Sequence, residues 1–328
     1  MGGGVTSSVS LSSLRSAAKA ANPSTGGFVH SATAQAVHVS MDVSKLNAAG
    51  KKIRESLASA DHPNPIPIAV FLDVTGSMQG QPQIAADNLP GLYALVKEKG
   101  YVASPHILFG AVGDSGDSAP LQVGQFESDA RVLDWLQRIW MEGGGAGPMY
   151  SHESYELMMY YMANYTDLDC NKHGKKGYLF LCADELPYPK LKKSVISAVI
   201  GDDVDEDIPF ETILASVRKK FNFFYILPET ASHGEDPEVI DFWKGHLGEN
   251  FIKVANLSDL SNIVAGLVGM CEGVDFEDVV EDITSLSGVA AGQSAGTALA
   301  AYAGKTAVAK SGSGSLPLGI KPQAPDLL

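Results

Sequence analysis

The run Ile66-Pro67-Ile68-Ala69-Val70-Phe71-Leu72 carries no charge and no polar side chain, and it stops abruptly at Asp73. A strand with one wet face alternates in polarity. A strand apolar at every position is covered on both faces, as in the middle of a parallel sheet. Parallel neighbours need long crossover connections, so the remaining chain must place helices between strands.

The remaining chain has that order. Apolar residues recur at helical spacing over 84–99, closed by Gly100, and further strands are predicted over 106–112, 121–126, 177–183, 221–227 and 251–255. Helices are predicted over 129–140, 154–165, 191–200, 210–220, 237–247 and 257–270. The 121–126 strand follows its predecessor without a helix, which predicts an antiparallel edge. The fold class read from this order is α/β: a doubly wound, mostly parallel sheet with one antiparallel edge strand and helices on both faces. Outside it, 37–46 reads as a strand and 50–60 as a short helix. Residues 1–27 and the Ala/Gly/Ser-rich chain from Ser285 read as mobile arms. The domain division is therefore 1–61 as an N-terminal extension, 62–273 as the sheet domain and 274–328 as a low-complexity tail.

Charge and composition narrow the function. With 24 basic against 38 acidic residues the net charge is −14, and no basic stripe is present, which argues against a nucleic-acid partner. The three cysteines, Cys170, Cys182 and Cys271, match no zinc spacing and suit a reducing compartment. No apolar leader opens the chain, so a cytoplasmic location is expected. Met1-Gly2-Gly3-Gly4-Val5-Thr6 fits the short myristoylation pattern, but no polybasic run supports an anchor. The uncharged stretch 283–304 carries Gly288, Gly292 and Gly296 at spacing four, like a membrane helix-packing pattern, yet it is too weakly apolar for a span.

The chemistry gathers at strand ends. Asp73 closes the first strand, and Thr75 and Ser77 follow at alternate positions. One carboxylate and two hydroxyls suit a hard cation, magnesium or manganese, and leave it under-neutralised. Asp184 follows Tyr178-Leu179-Phe180-Leu181-Cys182-Ala183 just as Asp73 follows its own strand. Ser151, Glu153 and Ser154 come after the turn Gly143-Gly144-Gly145-Ala146-Gly147-Pro148, a third loop expected at the same edge. Catalytic alternatives fit poorly. An aspartyl phosphatase needs a second acid where Thr75 stands, the lysine of a phosphate-binding loop is missing, and no Gly-x-Ser-x-Gly elbow follows a strand. A non-enzymatic role is expected.

Asp73-x-Thr75-x-Ser77, the strand order and Asp184 together resemble a von Willebrand factor type A domain with its metal-ion-dependent adhesion site, over about residues 62–273. The resemblance implies bound magnesium or manganese held by Asp73, Thr75, Ser77 and Asp184, and capture of a protein partner through a carboxylate. It also implies work beside an ATPase or inside a larger assembly. The sequence departs from the family in the second loop: no threonine lies between Thr75 and Thr166, so Ser151, Glu153 or Ser154 stands in, or the site has one ligand fewer. Glu185 also stands where glycine is common. Lys190, Lys192 and Lys193 are placed to form a rim steering an acidic partner. Asp114 and Asp117 read as a solvated turn rather than a second cation site, and His152 as a loop residue. The competing function is structural: a subunit of a large particle such as a phage virion, assembled through its terminal arms, with the metal site stabilising or vestigial.

Overall fold

The computed structural model describes residues 28–45, 52–144 and 151–312, with side chains through 304. Six strands form the central sheet: β1 Ile66–Asp73, β2 Pro105–Val112, β3 Leu121–Val123, β4 Gly177–Cys182, β5 Phe221–Pro228 and β6 Phe251–Val254. Their order across the sheet is β6-β5-β4-β1-β2-β3. All neighbours are parallel except β3, which runs antiparallel on β2. Every residue of β1, β2 and β4 is buried, so these strands are covered on both faces.

Eleven helices are described: α1 Gln81–Asn88, α2 Pro90–Glu98, α3 Val132–Gln137, α4 Tyr155–Asn164, α5 Asp169–Lys172, α6 Lys193–Val199, α7 Phe210–Lys220, α8 Pro237–Leu247, α9 Leu260–Cys271, α10 Phe276–Ser287 and α11 Val289–Gly312. They pack in two groups, α9 against α2, α10 and α11, and α4 against α7. The chain winds from β1 towards β3 in one direction and from β4 towards β6 in the other. Right-handed crossovers then put the two sets of connections on opposite faces. The reversal falls between β1 and β4, and the crevice outside the carboxyl ends of those two strands is where open α/β sheets bind ligands.

Several local expectations are corrected. The 84–99 helix is two, because Pro90 has no N–H to continue the first and opens the second. Residues 50–60 supply a strand, Arg54–Ser56, paired in parallel with Thr166–Leu168. Among residues 37–45 there is a single bridge, Asp42 to Gln122, and no strand. Asp42 Oδ1 accepts from the backbone N–H and the hydroxyl of Ser44, which turns the chain.

The low-complexity tail is corrected most. Residues 276–312 form α10 and α11, which pack on each other and on α9. Gly292 permits their close approach, since a Cβ there would run into the Thr284 hydroxyl. The glycine spacing thus serves a helix pair inside the protein. Among the described residues no helix is long and apolar enough to cross a membrane. The arm at 1–27, the end of the chain from 313 and part of the glycine turn, 145–148, lie outside the described residues.

Candidate functional site

Leu72 pairs with Cys182 in the β1–β4 ladder, so the chains leave the sheet side by side and deliver Asp73 and Asp184 to one place. Both are fully buried. A line of oxygen atoms joins them. Thr75 donates to Asp73 Oδ1 from its N–H (2.8 Å) and its hydroxyl (2.5 Å). Thr75 Oγ1 lies 3.1 Å from Ser77 Oγ, and Ser77 Oγ donates to Asp184 Oδ1 at 2.8 Å. Asp73 Oδ2 accepts from the Tyr155 hydroxyl at 2.5 Å, and Asp184 Oδ2 from the His233 N–H at 3.0 Å.

The second loop arrives from the side. His152–Glu153 forms a two-residue parallel pairing with Leu186–Pro187, which ties this loop to the loop after β4. Of its three candidates, Ser154 accepts from the Ser115 N–H at 2.9 Å, and Ser151 Oγ lies 3.5 Å from His233 Nδ1. Glu153 is 1% exposed, and among the described residues its Oε2 has no hydrogen-bond partner. Glu185 is buried beside them. Its backbone carbonyl accepts from Tyr225 (3.0 Å) and Trp243 (2.9 Å), and its carboxylate faces His233 Nε2 at 3.6 Å.

These carboxylates crowd one another. Burial raises the Asp73 pKa, and the charge of Asp184 raises it further, against the bonds from Thr75 and Tyr155. Burial also raises Asp184. Glu153 goes up through burial, then through the charges of Asp73 and Glu185. Glu185 reaches about 8, from burial and then Asp73 and Asp184. Among the described residues no lysine or arginine forms an ion pair with any of the four.

The atoms gathered here are all oxygens of the kind hard cations take, with two hydroxyls between carboxylates and, among the described residues, one buried carboxylate oxygen without a hydrogen-bond partner. The fit depends on the hydroxyls. Among the described residues no group of three or more His, Cys, Asp or Glu side chains is arranged to hold a metal ion.

The remaining sequence candidates fall elsewhere. Lys190 pairs with Asp207 at 2.8 Å, and Lys193 donates from its side chain to the Asp205 carbonyl, so the acidic loop occupies two of the three rim lysines. Lys192 is exposed. Asp114 is no solvated turn residue: it is fully buried, caps Gly116 N–H (2.7 Å) and accepts from the Tyr188 hydroxyl (2.7 Å). The His152 ring packs on Tyr188, with centroids 5.7 Å apart. Sequence reasoning missed Tyr155 and His233. Tyr155 sits in an apolar helical run, and His233 is a loop residue more than a hundred positions from Asp73, so neither carries a local signal.

No protein-family model matches the chain, and no curated protein does. Among solved structures, the pilus adhesin SpaC from Lactobacillus rhamnosus GG in its open conformation is 8% identical, over 72% of this chain and 31% of that one, with a TM-score of 0.42. A second form of that adhesin gives 10% identity, 72% and 32% coverage, and a TM-score of 0.38. A von Willebrand factor type A protein from Catenulispora acidiphila gives 9% identity, 64% and 43% coverage, and a TM-score of 0.32. The chain thus spans less than half the length of each. The fold class itself rests on the strand order.

Proposed function

We propose that the chain is a non-enzymatic protein-binding module that works through a divalent cation, magnesium or manganese, at the carboxyl edge of β1 and β4. Asp73, Thr75, Ser77 and Glu153 would hold the ion, with Asp184 anchoring Ser77. The bound ion supplies an exchangeable position at which an oxygen of a partner protein is recognised. The observation that carries this reading is the cluster of four buried carboxylates with two interposed hydroxyls and, among the described residues, no lysine or arginine ion-paired to them. Burying like charges without a counter-charge is costly, and proteins keep such arrangements where an ion or a proton completes them.

The test is calorimetric titration of the full chain with Mg2+ and Mn2+, beside Asp73→Ala, followed by affinity capture with metal and with EDTA. Saturable ion binding lost in a folded Asp73→Ala, with a partner retained only in metal, is the expected result. Capture indifferent to both EDTA and Asp73 would favour assembly through the terminal arms instead.

A further inference from the structure

We infer that this chain assembles with copies of itself: residues 11–21 of one copy dock as a helix in the groove between α10 and α11 of a second copy. The inference is independent of the cation reading, because it uses neither the strand edge at Asp73 nor any ion.

The groove has a volume of about 620 Å³, with Phe276 and Val280 of α10 and Gly292 and Gly296 of α11 among the residues that line it. The two glycines face Thr284 and Val280, and without side chains they leave the groove open between the helices. Its hydroxyls are turned back into their own helices. Thr284 Oγ1 donates to the Val280 carbonyl at 2.7 Å, and Thr297 Oγ1 donates to the Gln293 carbonyl at 2.9 Å. The surface left for a partner is therefore apolar. One rim is acidic: Glu277 and Glu281 are exposed, one helical turn apart, and among the described residues neither is in an ion pair. The α11 rim, at Gln293, is uncharged.

The sequence supplies the complement. Residues 1–27 hold Arg15 and Lys19 and no acidic residue, in a chain of net charge −14. Leu11, Leu14, Ala18 and Ala21 recur at helical spacing, between Ser10 as a start signal and Asn22-Pro23 as a stop. On such a helix Arg15 and Lys19 fall one turn apart on one flank of the apolar stripe. A stripe with one basic flank matches a groove with one acidic rim, and both pairs of charges have the spacing i, i+4.

The length of the link puts the contact between copies. The arm enters the fold at Phe28, beside β3, where Ser31 Oγ accepts from the Met141 N–H and Asp42 bridges to Gln122. Towards the other edge of the sheet, α11 packs on β6, and its Tyr302 ring lies 5.6 Å from that of Phe224 in β5. Residues 22–27 span at most about 20 Å. Five strand spacings, about 24 Å, separate the two edges. An arm that docks on the next copy makes a head-to-tail contact, which continues beyond a dimer.

The test mixes two full-length chains carrying tags of different length. One bears Ala18→Cys and the other Gln293→Cys, and mild oxidation traps the contact as a disulfide read on a non-reducing gel. Wild-type chain mixed with each variant measures what the native cysteines contribute. A disulfide joining the two different chains is the expected product. Arg15→Glu with Lys19→Glu on the first chain should slow it about tenfold, and Glu277→Lys with Glu281→Lys on the second should restore it. Sedimentation should show wild type growing past a dimer as concentration rises, and the arm-reversed chain remaining a monomer. If the reversed α10 does not fold, about 0.5 M salt replaces it and should slow the mixed disulfide in wild type alone. A mixed disulfide that is absent, or equally fast whatever the charges, would overturn the docking. A chain bearing both cysteines that closes only on itself at every concentration would overturn the exchange between copies.

Discussion

Two of the buried polar clusters among the described residues meet their charges in different ways. One surrounds Arg54, which is 1% exposed. Its guanidinium donates to the carbonyls of Lys52 and Val123, both at 3.1 Å, and lies 5.8 Å from the centre of the Tyr161 ring. Nearby, Ser56 Oγ and His106 Nδ1 are 3.1 Å apart. Here a charge is matched by carbonyl dipoles and an aromatic face. The other cluster, at Asp73 and Asp184, sets like charges against one another. In the first, the one charge is met by the chain's own carbonyls, although Arg54 Nε and His106 Nε2 are buried without a hydrogen-bond partner among the described residues. In the second, like charges face one another with no lysine or arginine paired to them among the described residues, and in the proposed reading a bound cation would offset them.

The sharpest way to break the comparison is Arg54→Ala. It removes the packed stem and leaves carbonyls unpaired, and should cost roughly 3 kcal/mol with or without metal, read by chemical denaturation. A loss that added Mg2+ repaired would mean the first cluster is not self-contained. Asp73→Asn should do the reverse. In EDTA at pH 8 it should raise stability by roughly 1 kcal/mol by removing a buried like charge, while abolishing any rise in Tm on adding Mg2+. A wild-type Tm indifferent to Mg2+ would remove the contrast.

The two clusters should also respond to pH with opposite sign. Carboxylates whose folded pKa is raised, Glu185 to about 8 and Asp73 and Glu153 upward, bind protons in the folded state. Their contribution is fully present below the ordinary carboxylate range and is lost as pH rises through the folded values. Burial, and then the charge of His62, depress His106 to about 4. Its contribution is present above about 6.5 and is lost as pH falls from there towards 4. In EDTA three raised carboxylates outweigh one depressed histidine, so these groups together should make the chain lose stability steadily as pH rises from about 5 to about 8. Saturating Mg2+ should abolish the alkaline decline. The smallest effect belongs to Lys192→Ala: with its side chain in solvent, stability should change by less than about 0.5 kcal/mol and cation affinity not measurably. A larger change in affinity would extend the site to the rim.

Much of this was legible in the sequence where one residue type has one physical meaning. A run apolar at every position, closed by an aspartate, located β1 and its polar end, and the same pattern before Asp184 located β4. The 50–60 region was not legible because what decides it is distant. Arg54 is buried against the carbonyls of Lys52 and Val123 and the ring of Tyr161, and the segment reads as helix but pairs in parallel with Thr166–Leu168, over a hundred residues away. The tail misled for a related reason. Alanine and glycine carry little hydrophobic signal, yet α10 and α11 need only small residues to pack closely, as at Gly292. In the site, Tyr155 was hidden because one hydroxyl on a buried ring looks like core until its partner, Asp73 Oδ2, is seen.

The helix pair α10–α11 has a practical consequence. Nearly all of α9 is buried, and α10 and α11 supply part of its cover, with Val279, Ile283, Ala295 and Leu299 in the core. A chain cut at 273, where composition alone would place a boundary, would strip that cover and leave an apolar strip facing water. Strips of that kind associate with one another. A shortened protein of this sort would be expected to aggregate, and stickiness measured on it would report the missing helices instead of the edge that carries Asp73.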